Sequence, residues 1–348
     1  MGRGGQNTKH VPSPHGVEGS VKDGDAHGPL VYLGAIVLGC AVKSGTSLLN
    51  RMSRLRASDS DRLADSPAVW FASYSALFAL QVVAVVREAS AQRAGRGTGV
   101  RLALSPAEAA LLLVVALVYT LMENLQFYVL EEVQAPVFQT FGNLKVLAAA
   151  LFSRLLLGTR FKAHQHFAMA LLVLGSCLLR FSVMWVSSAR IAATLVLILC
   201  SGFNLVLYEK LVCKPGLSVA LCNMTFYLAS MLLHGALAAG TDVGLAGNLA
   251  SFNLVTWGAV GGHVLNGTAN TLLVVYAGAV GKQFISQGAV VALAFVGLFS
   301  KSDAFHLTPG FAAASALVFG GVWSWKYAPS AFLREPRARE PGAKPHFE

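Results

Sequence analysis

The chain has 348 residues, of which 55% are apolar and only 13% are Asp, Glu, Lys or Arg, against about 25% charged in soluble domains. With a mean hydropathy of +0.58, this composition excludes a soluble globule and a disordered chain. Five cysteines with no C-x-x-C pair exclude a disulfide scaffold as well.

Residues 1–28 are polar and rich in Gly, His and Pro, with no apolar stretch of the kind a cleavable secretory signal carries. They read as a cytosolic N-terminal tail. A helix needs about 20 apolar residues to cross a bilayer. Ten runs qualify: 30–50, 68–87, 107–130, 134–157, 165–186, 191–210, 217–238, 253–276, 282–300 and 309–328. The first serves as an uncleaved anchor, and 329–348 form a second polar tail.

The fourth span ends Leu151-Phe152-Ser153-Arg154 and the ninth Leu298-Phe299-Ser300-Lys301. This echo divides the chain into two five-helix repeats, 29–188 and 189–328. An odd number of helices per repeat inverts their topologies, the usual plan of secondary transporters. The expected fold is an all-α polytopic membrane protein with ten transmembrane helices in two inverted five-helix repeats.

The net charge of +10 lies in tails and short connectors. Arg87, Arg93, Arg96 and Arg101, then Arg154, Arg160 and Lys162, then Lys210 and Lys214, fall on one side. Arg51, Arg54, Arg56, Arg62, Arg180 and Arg190 fall on the other. The positive-inside rule then places both termini in the cytosol. No basic block is interleaved with aromatics, so nucleic acid is not an expected partner.

Charges at membrane depth cost about 2.5–3.5 kcal/mol and mark sites or pathways. Lys145 stands deep in the fourth span, with Gln139 and Asn143 upstream and Phe138 and Phe141 on its face. A cation with aromatic faces in a low-dielectric cavity suits an anionic, ring-bearing ligand such as a nucleotide. The structural alternative pairs Lys145 with a carboxylate such as Glu123. Lys282 opens the ninth span after the glycine-bearing stretch 276–281, where a helix N-terminus and a lysine attract phosphate. The alternative there is a snorkelling interface lysine.

Glu123-Asn124 lies one turn beyond Tyr119, and Glu209-Lys210 follows Tyr208. Asn223 shares a helix face with Tyr227, and Asn266 with Asn270. Such asparagines either line a cavity or hold helices together. No Ser/His/Asp set, Walker loop or H-E-x-x-H occurs, so neither an enzyme nor a cofactor or metal is expected. Lacking an ATP-binding segment, transport would run on gradients or exchange.

These residues carry a resemblance. The run from Glu123 through Ala135-Pro136-Val137-Phe138-Gln139 to Lys145 resembles the nucleotide-sugar transporters, in the UDP-galactose/CMP-sialic acid branch of the drug/metabolite transporter superfamily. Ser201-Gly202-Phe203 followed by Val206-Leu207-Tyr208-Glu209-Lys210 resembles the family's S-G-F-A-G-V-Y-F-E-K run. Asn223 and Tyr227 fit its R-N-x-Q-L-Y-L segment, and the likeness covers 30–328. The chain departs from the pattern at Glu123 and Cys222, where the family has Asn and Arg. Ser73 and Ala76 stand at an acidic and a lysine position, and Val275, Gly278 and Ala279 alter its K-Y-A-D-N.

The resemblance implies a ten-helix antiporter of the Golgi or endoplasmic reticulum membrane. It would exchange a cytosolic nucleotide-sugar, a UDP-sugar first of all, for lumenal nucleoside monophosphate. Lys145 and Lys282 would contact phosphate, and Tyr119, Phe138, Asn223 and Tyr227 would line the nucleotide pocket. Glu123, Asn124, Gln139 and Asn270 complete the candidate set from the residues themselves. The expected partners are the nucleotide-sugar, the monophosphate and the lipid bilayer, with a homodimer and a glycosyltransferase association left open. Two rival readings are a non-transporting scaffold for glycosyltransferases and a same-fold transporter of another phosphorylated metabolite.

Overall fold

Apolar runs at helical length can satisfy their backbone polar groups only internally within lipid, so helices are what such a sequence must form. A computed structural model describes residues 66–95, 99–130, 144–178, 188–241 and 244–299, with scattered positions between 313 and 325. Its helices are α1 (Ser66–Arg93), α2 (Pro106–Leu130), α3 (Lys145–Leu156), α4 (Ala163–Leu178), α5 (Ser188–Val212), α6 (Val219–Ala239), α7 (Gly244–Ala250) and α8 (Leu254–Phe299). Among the described residues there is no strand, and one isolated bridge joins Arg101 to Leu217.

Five of these helices, α1, α2, α5, α6 and α8, are long and apolar enough to cross a membrane. Their outer faces carry Leu80, Val83, Leu117, Leu121 and Leu265, all more than half exposed. In water such a surface would be a liability, and against acyl chains it is the expected lining. The second, third, sixth and seventh expected spans coincide with α1, α2, α5 and α6. The first span, the start of the fourth with Phe138 and Gln139, most of the tenth, and both tails lie outside the described residues.

The helix ends follow from local chemistry. Ser105 caps α2: its Oγ accepts from the Glu108 amide at 3.3 Å, and the Glu108 carboxylate accepts from the Ser105 amide at 2.8 Å. That reciprocal box, with Pro106 at the first helical position, fixes where α2 starts. Ser218 caps α6 by accepting from the Leu221 amide. The expected eighth and ninth spans are the two helical halves of α8, which part at Gly278 (φ 70°, ψ 173°), a conformation almost confined to glycine.

Two apolar cores result. The first joins Tyr74 and Leu77 of α1, Leu112, Val115 and Ala116 of α2, Leu207 and Leu211 of α5, and Cys222, Phe226 and Tyr227 of α6. The second joins Val146, Ala149 and Ala150 of α3, Ala168 and Leu172 of α4, Val206 of α5, and Ala279, Val280 and Phe284 of α8. The broadest helix contact is α1 on α6, followed by α3 on α5, α2 on α5 and α2 on α6.

α8 touches both cores. Its first part meets α1, where a Cβ on Gly267 would stand 2.9 Å from Leu77. Its second part meets α3. Small residues let α3 and α5 come close: a Cβ on Gly202 would lie 2.6 Å from the Ala148 Cβ, the packing typical of membrane helices.

The α1–α2 and α5–α6 connectors are tied together. The Arg101 guanidinium donates to both Glu108 oxygens at 2.6 and 2.8 Å, and Lys214 Nζ meets Glu108 Oε1 at 2.7 Å. The Arg101 amide donates to the Gly216 carbonyl at 2.6 Å, and the Ser218 amide to the Arg101 carbonyl at 3.3 Å.

Candidate functional site

A polar and aromatic seam runs through the first core, where α1, α2, α5, α6 and α8 meet. Asn223 and Tyr227 are buried, one helical turn apart on α6. The Tyr208 hydroxyl donates to Asn223 Oδ1 and lies 3.1 Å from Thr271 Oγ1. The Thr271 hydroxyl donates to the Gly267 carbonyl one turn back on its own helix at 3.3 Å. Tyr227 Oη stands 3.5 Å from both Thr271 Oγ1 and the Gly267 carbonyl, at the outer edge of hydrogen bonding. Three helices thus fix one amide and three hydroxyls in a single chain.

Aromatic rings wall this chain. Phe226 meets Tyr119 edge-on at 5.7 Å and lies 5.8 Å from Tyr208. Tyr74 stacks on Tyr227 at 6.0 Å, a spacing at which aromatic pairs contribute beyond their buried area. Tyr119, Asn223 and Tyr227, from separate parts of the sequence, meet in this seam. Asn270 stands half-buried on α8, one residue before Thr271.

Glu123 is buried but does not end on a lysine. Its Oε1 accepts from the Tyr74 hydroxyl at 3.0 Å, and its Oε2 lies 2.9 Å from His234 Nε2. Both atoms of this second contact are buried, and neither has another hydrogen-bond partner among the described residues. The other ring nitrogen, Nδ1, sits 2.8 Å from the Ser230 carbonyl. Trp70 covers this group, with its ring 6.3 Å from His234 and 4.2 Å from His263. Asn124, next to Glu123, is exposed, and its Nδ2 donates to the Thr120 carbonyl at 2.8 Å within its own helix. The structure leaves it outside the seam.

The two lysines are carried by helices of the second core. Lys145 is half-buried and begins α3, directly before buried Val146. Lys282 is half-buried on α8, between buried Gly281 and Gln283. Val146, Ala149 and Ala150 pack with Ala279, Val280 and Phe284, so the lysines sit on neighbouring helices of one core. The break at Gly278 is occupied by Glu209: its Oε2 accepts from the Ala279 amide at 3.0 Å. A carboxylate thereby caps the freed N-terminus of the second half of α8, three residues before Lys282. A Cβ at Gly278 would stand 2.9 Å from Glu209 Oε1, which leaves room for glycine alone.

Sequence reading did not anticipate Tyr74, His234, Thr271 or the capping role of Glu209. A lone histidine in an apolar run carried a signal, since its imidazole needs a partner when buried, but the partner lies on another helix.

The family described as nucleotide-sugar transporter matches residues 29–326. The UDP-galactose translocator of Canis lupus familiaris is 30% identical over 348 residues, covering 93% of this chain and 84% of that protein. The UDP-galactose translocator of Mus musculus is 31% identical over 226 residues, covering 61% of this chain and 57% of its own length. The UDP-N-acetylglucosamine transporter of Mus musculus is 26% identical over 313 residues, covering 84% and 94% respectively. A solved crystal structure superposes with a TM-score of 0.52 at 16% identity, over 85% of this chain and 99% of that one, a likeness of fold alone. The relatives are named as transporters and translocators rather than enzymes. The family match runs through every helix that builds the seam and both lysine-bearing helices, and the chain belongs to the nucleotide-sugar transporter family.

Proposed function

We propose that the chain exchanges a nucleotide-sugar for a nucleoside monophosphate across a Golgi or endoplasmic reticulum membrane, by alternating access. The observation that carries this reading is the placement of two half-buried lysines, Lys145 and Lys282, on packed neighbouring helices in a family of nucleotide-sugar transporters. Cations at such depth are retained where they meet an anion, and a diphosphate linkage supplies one. Tyr119, Asn223, Tyr227 and Asn270 supply aromatic faces and amides for the nucleoside. A UDP-sugar is the substrate class, because the relatives at about 30% identity are UDP-galactose translocators.

The ten-span, inverted-repeat plan with both termini cytosolic belongs to this proposal. Two contacts support it. α2 on α6 has a counterpart in the first part of α8 on α1, and α1 on α6 is its own counterpart under an exchange of repeats. The Arg101–Glu108–Lys214 tie would then lie on the cytosolic side, where it joins one connector from each repeat.

The test is exchange in proteoliposomes preloaded with UMP, following uptake of labelled UMP or UDP-galactose. Lys145→Ala and Lys282→Ala are each expected to abolish exchange in protein that elutes and unfolds as wild type does. Full exchange by both variants overturns the assignment of the lysines to phosphate.

A further inference from the structure

The Glu123–His234 pair is built for a proton. A carbonyl oxygen only accepts, so the 2.8 Å contact with Ser230 assigns a hydrogen to His234 Nδ1. A neutral ring in that tautomer presents a bare lone pair at Nε2. Glu123 Oε2 lies 2.9 Å from it, and two lone pairs at that distance in a buried site repel. One proton must therefore reside between them, on the imidazole or on the carboxyl. Tyr74 already donates to the other carboxylate oxygen at 3.0 Å, so it cannot fill this place.

With that proton the pair is neutral overall. Without it a net negative charge is buried, and with a second proton a net positive one, both costly at membrane depth. The side chains are 0% (His234) and 8% (Glu123) exposed, so the proton can leave or enter only when α1, α2 and α6 part. Other titratable groups face the pair from the packed helices: Tyr74 on α1, Tyr119 on α2, Tyr227 on α6 and, through Trp70, His263 on α8. Beyond them Tyr208 on α5 belongs to the same seam. α7 carries no titratable side chain. Among these groups the pair has no charged competitor.

The pair also touches the proposed substrate wall. Tyr74, its hydrogen-bond partner, stacks on Tyr227, which stands 3.5 Å from Thr271, which in turn meets Tyr208 and so Asn223. A rearrangement that opens the wall to one side of the membrane moves the ring that covers the pair. We propose that Glu123 and His234 form a proton-binding site that loads and unloads once per transport cycle, so that nucleotide exchange is coupled to one proton. The chemistry is a simple transfer: water on one side gives up a proton to the pair, and water on the other side receives it.

This inference rests on the transport reading, and two readouts keep them separate. In the first, proteoliposomes with equal UMP on both sides and a trapped pH dye are exposed to a gradient of one pH unit. One coupled proton makes the wild-type exchange rate respond by up to about tenfold per unit, with a matching dye signal. His234→Asn is expected to keep exchange at equal pH within about threefold of wild type and to lose the response to the gradient. Wild-type exchange that ignores the gradient, or a His234→Asn variant that keeps the response, overturns the proposal.

The second readout needs no transport: pH-difference infrared spectra of the purified protein without nucleotide. A carboxyl band that titrates in wild type, vanishes in Glu123→Gln and shifts in His234→Asn supports the proton site even if no exchange is found, in which case only the transport reading falls. The absence from wild type of any carboxyl, carboxylate or imidazole band that titrates overturns the proton site.

Discussion

Gly202 on α5 is the position where one added methyl tests most of the architecture. A Cβ there would stand 2.6 Å from the Ala148 Cβ and 2.7 Å from both the Ala148 carbonyl carbon and the Ala149 nitrogen. Non-bonded carbons settle at about 3.5–4.0 Å, so α3 and α5 must part by roughly 0.8 Å or more. Two of the three obstacles are backbone, and no rotamer change relieves them. Overpacking of this kind costs about 1–3 kcal/mol. Lys145 opens α3 one turn before Ala148 and would move with it.

Displacement of a positioning group by about 1 Å can cost 10²-fold, so Gly202→Ala is expected to lower UMP exchange by about 10- to 100-fold and to reduce thermal stability. Exchange in proteoliposomes and unfolding followed by size-exclusion chromatography report the two effects. Adding Ala148→Gly removes the nearest contact and leaves the backbone ones, so it should restore activity only in part. Wild-type stability and exchange in Gly202→Ala would refute the close approach. Full recovery in the double variant would refute the claim that backbone atoms limit it.

Three further expectations follow from other parts of the structure. Gly278→Ala forces a side chain into a backbone region that costs about 1–3 kcal/mol and against the Glu209 carboxylate, so it should destabilise the protein and slow exchange, as read by thermal unfolding and initial rates. Tyr208→Phe leaves the buried Asn223 carbonyl oxygen without its donor, which costs about 1–3 kcal/mol. Weaker nucleotide binding should appear as a raised KM, with Tyr227→Phe milder because its contacts are longer. Glu108→Gln removes the charge that holds Arg101 and Lys214, and limited trypsin digestion should then cut sooner after Arg101, which precedes Leu102. The lysine and arginine there are about half exposed, so solvent screening should keep its effect on global stability small.

The membrane helices were legible because hydropathy reports the lipid directly. The expected span 217–238 and α6 differ by a residue or two at each end, and the turn-forming Pro215-Gly216 with the Ser218 cap explains the start. α1 outruns its expected span of 68–87, because Arg87–Arg93 continue the helix where the apolar run has ended: hydrogen bonding, not hydropathy, ends a helix in water. α7 has seven residues, too few to leave a periodic signal. The break in α8 was visible as the glycine-bearing stretch before Lys282, and a charged cap from Glu209 on another helix was not.

The site was legible where its chemistry is local. Asn223 and Tyr227 share a face by spacing alone, and Lys145 announces itself as a charge within an apolar run. Asn124 shows the limit of such reading. It sits beside Glu123 in sequence but is turned about a hundred degrees away on the helix, and it bonds its own backbone. The Glu123–His234–Tyr74 group joins three helices, and no periodicity encodes which helices become neighbours.

The central claim is that this chain exchanges nucleotides, with uridine as the base. Proteoliposomes preloaded in turn with UMP, CMP, GMP or AMP, and supplied outside with the matching labelled nucleotide, test it most directly. The account predicts rapid exchange with UMP, competition by UDP-galactose and little uptake with the purine nucleotides. Absence of exchange with every base, from protein that is folded and correctly inserted, would contradict it.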